Sequence, residues 1–293
     1  DGTVGRGGGT YCDNAAFHPG YSTPGKPLLT QIDEGIEFQK VRYPRARHYL
    51  AYFQAYSNTY GPLDRLKALY EEVLSHPEVV GIVIGTRPDC VDEKKLDYLA
   101  GLASGRVLSG WQRSLRQAPG PTVQAPVPDT LTAPIVVVEY GIESCHDSTL
   151  RHINRGHSFE CARKAVEMTA ERGLDTGAHF ILGLPGETRE MLLDQCGLIS
   201  SLPLRSVKFH QLQIVRGTVM EKEYAADPSA FYRPGLDEYL DFVIDILERL
   251  RPDLYIERVA GEVPPRFVND TPWGLVRNFE ILRLLDKRLE ERD

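Results

Sequence analysis

The chain has 293 residues, enough to bury a large core as one α/β domain or as two smaller ones. Lys and Arg total 34 against 41 Asp and Glu, and the net charge of -7 excludes a general attraction for nucleic acid or an anionic membrane surface. No apolar run approaches the roughly 18 to 20 residues of a membrane helix, the N-terminus has no secretory pattern, and the five scattered cysteines do not make a secreted disulfide framework, so the cytoplasm is the expected compartment.

The first twelve residues, Asp1 to Cys12, contain five glycines and end in a cysteine, a loop able to fold tightly around something compact. It opens without methionine, cap or strand, which predicts that a first strand precedes Asp1. Leu28 to Arg42 carries apolar residues near a 3.6 period and predicts a helix. His48 to Tyr56 is short and aromatic, hence a strand, with Gln54 and Tyr56 at its C-terminal end. Pro62 to Ser75 reads as a helix, and Val79 to Gly85 as a strand covered on both faces. Thr86-Arg87-Pro88-Asp89 leads into a helix from Asp92 to Ala103. Gly105 to Pro134 holds five prolines and three glycines and reads as a surface insertion.

Ile135 to Glu143 is a third strand, with carboxylates near its end. A helix from Phe159 to Arg172 stops at Gly173. Strands follow at Thr176 to Gly183, Ser206 to Val215 and Tyr255 to Val263, separated by helices ending near Ser201 and spanning Leu236 to Leu250; a last helix runs from Trp273 to Glu290. This alternation predicts an α/β fold of parallel βαβ units. Residues 1–252 are expected to form the barrel, and residues 253–293 a C-terminal strand and helix packing on it.

Ligands in such folds sit at the C-terminal ends of the strands. The polar residues collected there are Gln54, Tyr56, Arg87, Asp89, Glu143, His179, Lys208 and His210. Each has a bland reading: Arg87 and Asp89 as a structural ion pair, His179 as a satisfied core histidine. Convergence on one mouth favours a site.

The opening loop, Gly85-Thr86-Arg87-Pro88-Asp89-Cys90, Ile153-Asn154-Arg155-Gly156-His157 and Gly183-Leu184-Pro185-Gly186-Glu187 resemble the motifs of YhcC-type radical S-adenosylmethionine proteins, in the same order. The resemblance implies a partial (β/α)6, TIM-like barrel, a four-iron four-sulfur cluster on three loop cysteines, and S-adenosylmethionine on the fourth iron. An electron donor reduces the cluster, and the cofactor is then cleaved to a 5′-deoxyadenosyl radical. In that pattern one cysteine lies before Asp1, one at Gly9 and one at Cys12; Cys12 alone carries over, so a site-bound cluster is expected to be absent or labile. By likeness to coproporphyrinogen oxidases, Glu143, Arg155 and His179 stand where the cofactor is contacted, gripped by its carboxylate and bound at its ribose. Gln54-Ala55-Tyr56 stands where backbone meets the methionyl amino group, and Arg87 and Asp89 complete the expected cofactor set. The substrate is not named by the sequence. A barrel that binds S-adenosylmethionine or a nucleotide without radical chemistry is the competing reading, and the acidic balance does not support RNA as substrate.

Overall fold

The computed structural model describes residues 8–12, 22–23, 25–107, 132–268, 273–274 and 276–292. Six strands form a single parallel sheet in sequence order: β1 (Tyr49–Phe53), β2 (Val79–Thr86), β3 (Ile135–Glu143), β4 (Asp175–Leu182), β5 (Ser206–Gln211) and β6 (Tyr255–Arg258). Each strand pairs with the next and β1 does not meet β6, so the sheet curls into a half-barrel that is open between its edges. The helices α1 (Leu28–Arg42), α2 (Leu63–Leu74), α3 (Glu93–Ala103), α4 (Asp147–His152), α5 (Phe159–Ala170), α6 (Arg189–Ser201), α7 (Val219–Ala226), α8 (Leu236–Arg249) and α9 (Asn278–Arg292) connect or follow the strands.

Local chemistry sets these boundaries. Asp92, Ser158, Thr188 and Thr218 each accept a backbone N–H three residues on, capping α3, α5, α6 and α7. Such a cap contributes about 1 kcal/mol. On α2 the buried set Leu66, Tyr70, Val73 and Leu74 follows one helical face, and β2 is buried along nearly its whole length, as a strand covered on both sides must be. The six strands and the main helices fall where their periodicity puts them. Two short helices, α4 and α7, escape that signal because six and eight residues carry too few turns of periodicity.

β5 ends at Gln211 rather than Val215, because the Gln211 side chain turns to pair with the Gly261 backbone, donating at 3.0 Å and accepting at 2.7 Å. β6 likewise stops at Arg258, and Trp273 precedes α9 rather than starting it, donating from Nε1 to the Pro234 carbonyl. The insertion expected from Gly105 to Pro134 falls mainly on residues outside those described, 108–131, as do residues 1–7 of the opening loop.

The Gly183-to-Glu187 turn is a structural tie. Gly183 has φ 93°, and a Cβ there would come 2.1 Å from the Tyr232 carbonyl oxygen, so only glycine fits. Glu187 is buried and accepts from the Ser144 hydroxyl at 2.5 Å, joining the exit of β4 to the exit of β3. Burial lifts its carboxyl from 4.5 to about 7. Between those values the folded state keeps a proton that the unfolded chain releases, so this stabilisation is complete below pH 4.5 and is lost as pH rises through about 7. Denaturant titrations of wild type and Glu187→Gln, whose amide stays neutral, should therefore show the variant gaining about 3 kcal/mol on wild type from pH 4.5 to about 8. A stability difference that stays flat with pH contradicts this account.

Candidate functional site

The C-terminal edge of the sheet opens into two adjoining chambers. The narrower, about 230 Å³, is bounded by Gly9, Cys12, the Gln54 to Ser57 turn, Arg87, Glu143 and Arg155. The wider, about 760 Å³, extends toward β5 and β6 past Lys208, His210 and Arg258. Tyr11, Tyr52, Gln54, Glu143 and His179 line both.

Beneath both chambers lies a buried carboxylate. Glu139 accepts from the Tyr52 hydroxyl at 2.7 Å and from His179 Nε2 at 2.8 Å on one oxygen, and from Lys208 Nζ at 2.5 Å on the other. Burial alone would raise its pKa, but the His179 and Lys208 contacts outweigh that and hold it at about 2. The ionised carboxylate can only accept, so His179 meets it with a proton on Nε2. Burial, followed by the Glu139 charge and hydrogen bond, pushes the Tyr52 hydroxyl far up, so Tyr52 stays a donor. A Cβ on Gly177 would stand 2.9 Å from Glu139 Cγ, so the glycine makes room for this side chain.

The strand-end turns give the narrow chamber its shape. Ala55 and Tyr56 have φ of 67° and 64°, two consecutive left-handed residues that are not glycine. Such strain persists only where surroundings impose it. Here Asn58 does so, donating its amide to the carbonyls of Phe53, Ala55 and Gly85 at 3.0, 3.2 and 2.8 Å. β3 carries an irregularity between Gly141 and Glu143, and Glu143 sits at φ 75°, which turns its carboxylate toward Arg155.

Arg155 donates from Nε and Nη2 to the Gly141 carbonyl at 3.0 and 2.5 Å and pairs through Nη2 with Glu143 at 3.1 Å. Its Nη1 makes no hydrogen bond among the described residues. The neighbouring Asn154 donates at 2.7 Å to the Gly8 carbonyl, and Thr10 exchanges backbone bonds with Ile153 and Met220 at 3.1 and 3.0 Å. The Ile153-to-His157 motif thus docks residues 8–12 onto the mouth, with Tyr11 buried.

Arg87 and Asp89 bind one another through two 2.9 Å contacts, and Arg87 also donates to the Gly156 carbonyl at 3.3 Å. Arg87 borders the narrow chamber while anchoring the Gly156 turn. Gln54, Ala55, Tyr56, Glu143, Arg155, His179 and Cys12 all meet at the same chamber. Three chamber-lining side chains lie outside that predicted set: Glu139, Tyr52 and Arg258. Glu139 did carry a signal, a charge within the apolar run Ile135-Val136-Val137-Val138-Glu139-Tyr140.

Among the described residues the donor set does not fit a four-iron four-sulfur cluster. Cys12 is exposed on the narrow chamber; Cys90, Cys145 and Cys196 are buried in the fold and Cys161 belongs to α5. Gly9 offers no ligand, and a Cβ there would meet the Tyr11 ring at 2.9 Å. Among the described residues no three His, Cys, Asp or Glu gather as a metal site.

The fold is a parallel α/β half-barrel with a polar double chamber on its C-terminal edge. Two family models match in tandem, the radical SAM superfamily over residues 119–197 and the radical SAM C-terminal domain over residues 204–291. Protein YhcC of Escherichia coli is 33% identical over 261 residues, covering 89% of this chain and 74% of that protein, and YtqA of Bacillus subtilis is 31% identical over 292 residues, covering 100% and 81%. Archaeal Elp3 of Methanocaldococcus infernus shares the fold with a TM-score of 0.66 at 17% identity, over 90% of this chain and 59% of that one. The chain belongs to the radical S-adenosylmethionine superfamily, alongside YhcC and YtqA. Among the described residues no helix is long and apolar enough to cross a membrane.

Removing the Glu139 charge leaves the buried Lys208 with only the more exposed Glu257, 3.3 Å away. Glu139→Gln is expected to cost about 3 to 5 kcal/mol in urea unfolding at neutral pH. A loss under about 1 kcal/mol contradicts the central place given to this carboxylate.

Proposed function

We propose that this protein binds S-adenosylmethionine in the narrow chamber, as a radical S-adenosylmethionine barrel whose loop, with glycine at position 9, does not carry the reducing cluster. The observation behind this reading is the Glu143–Arg155 pair, 3.1 Å apart at the chamber wall. An α-amino acid end is a zwitterion, and a carboxylate beside a guanidinium is its complement. The free Nη1 of Arg155 would receive the methionyl carboxylate. Glu143 and the carbonyls exposed by the left-handed Ala55–Tyr56 turn would receive the ammonium. His179, held by Glu139 through Nε2, would meet a ribose hydroxyl through Nδ1. Arg87 and Asp89 support the chamber through the Gly156 turn.

In the family the bound cofactor supplies a 5′-deoxyadenosyl radical once a cluster reduces it. The chain's own part here is to bind and orient the cofactor, since Gly9 offers no thiolate at one of the three cluster positions.

Calorimetric titration of the iron-free protein tests this. S-adenosylmethionine should bind, and Arg155→Gln should weaken it about tenfold or more, the loss of a charge-assisted contact. 5′-Methylthioadenosine, which lacks the amino-acid end, should bind wild type and variant alike. Equal weakening of both ligands, or no binding of S-adenosylmethionine to wild type, contradicts the assignment.

A further inference from the structure

The wider chamber has charges that the cofactor reading leaves unused. Its carboxylates are engaged: Glu143 with Arg155, and Glu262 as acceptor of the Asn278 backbone N–H at 2.6 Å, where α9 begins. Glu139 below holds Lys208 and His179, and Glu257 lies 3.3 Å from Lys208. The guanidiniums are not so engaged. Arg258, on β6, and Arg42, at the end of α1, both border this chamber, and neither has a carboxylate within ion-pair reach among the described residues.

Strand register places Arg258 in a functional row. His179 pairs with Lys208 across β4 and β5, and Lys208 with Arg258 across β5 and β6, so three nitrogen-bearing side chains share one level of the barrel. The positive charge of Arg258 is felt at both Tyr52 and His210, which sets it over the lumen. His210 adds an independent sign. Its ring lies 5.5 Å from that of His179, and its Nε2 is buried without a hydrogen-bond partner among the described residues. Gly261 packs against the opposite edge, where a Cβ would come within 2.7 Å of Nδ1. A buried imidazole nitrogen left unpaired in a polar chamber calls for a ligand atom or water.

We propose that the wider chamber is a substrate site for a molecule bearing a carboxylate or phosphate group, received by the Arg258 guanidinium, with His210 Nε2 contacting the bound molecule. A guanidinium fork matches either anion with two parallel hydrogen bonds. The chamber volume, about 760 Å³, suits a small metabolite. Arg42 serves as a second cation on the same chamber. The assignment of this molecule as substrate rests on the narrow chamber being the cofactor's.

Equilibrium dialysis with labelled inorganic phosphate and, separately, labelled acetate, at fixed ionic strength and in saturating S-adenosylhomocysteine, tests the site. At least one anion should bind saturably at one equivalent per chain, and the one that binds more tightly identifies the group. Arg258→Gln should weaken it about tenfold or more, and Arg258→Lys should keep an intermediate affinity. Arg283→Gln, exposed on α9, should leave it unchanged. Absence of saturable binding of either anion, wild-type affinity in Arg258→Gln, or equal weakening in Arg283→Gln overturns the proposal. S-adenosylhomocysteine binding on the same preparation separates the two readings: its failure with anion binding intact removes the cofactor assignment alone, and the reverse removes this one alone.

Discussion

The structure depends on one buried carboxylate. A charge inside a parallel sheet is costly unless several donors meet it, and Glu139 meets three, from β1, β4 and β5. Those contacts join strands across the lumen as well as neutralising the charge. They also set the chemistry of the mouth: Tyr52 is kept a donor, His179 is held through Nε2, and Lys208 is drawn in, so that Arg258 and Arg42 are the cations facing the wider chamber without a carboxylate in ion-pair reach among the described residues. Gly177 completes the arrangement by leaving room beside Glu139.

A second set of contacts turns this lumen into a site with a rim. Arg155 is braced on Gly141, Asn154 holds Gly8, and Thr10 is bonded to Ile153 and Met220, so the glycine loop lies over the mouth with Cys12 on the narrow chamber. The Ile153-to-His157 motif therefore has a structural role that does not depend on any ligand, and Arg155 takes part in it. A Cβ at Gly9 would meet the Tyr11 ring at 2.9 Å.

Much of this was legible in the chain. Apolar runs such as Val79 to Gly85 read as buried parallel strands because both faces demand apolar residues, and the strand-helix alternation then placed Gln54, Glu143 and His179 at one edge. Cys12 and Arg155 stood out through motif order. The Glu139 hub was not legible, because its partners are 87, 40 and 69 residues away and their meeting depends on register across three strands. That Arg258 has no carboxylate within ion-pair reach among the described residues was hidden for the same reason: its partners are a property of the folded sheet. The left-handed backbone at Ala55 and Tyr56 also ran against residue preference, as strained positions at sites do.

The central claim is that the narrow chamber receives the amino-acid end of S-adenosylmethionine between Glu143 and Arg155. The most direct measurement is a crystal structure of the iron-free protein with S-adenosylhomocysteine, whose amino-acid end is the same. The account predicts the ligand carboxylate on Arg155 Nη1 and its ammonium beside Glu143 and the Ala55–Tyr56 turn. A ligand bound with its amino-acid end directed away from Arg155, or seated outside this chamber, would contradict it.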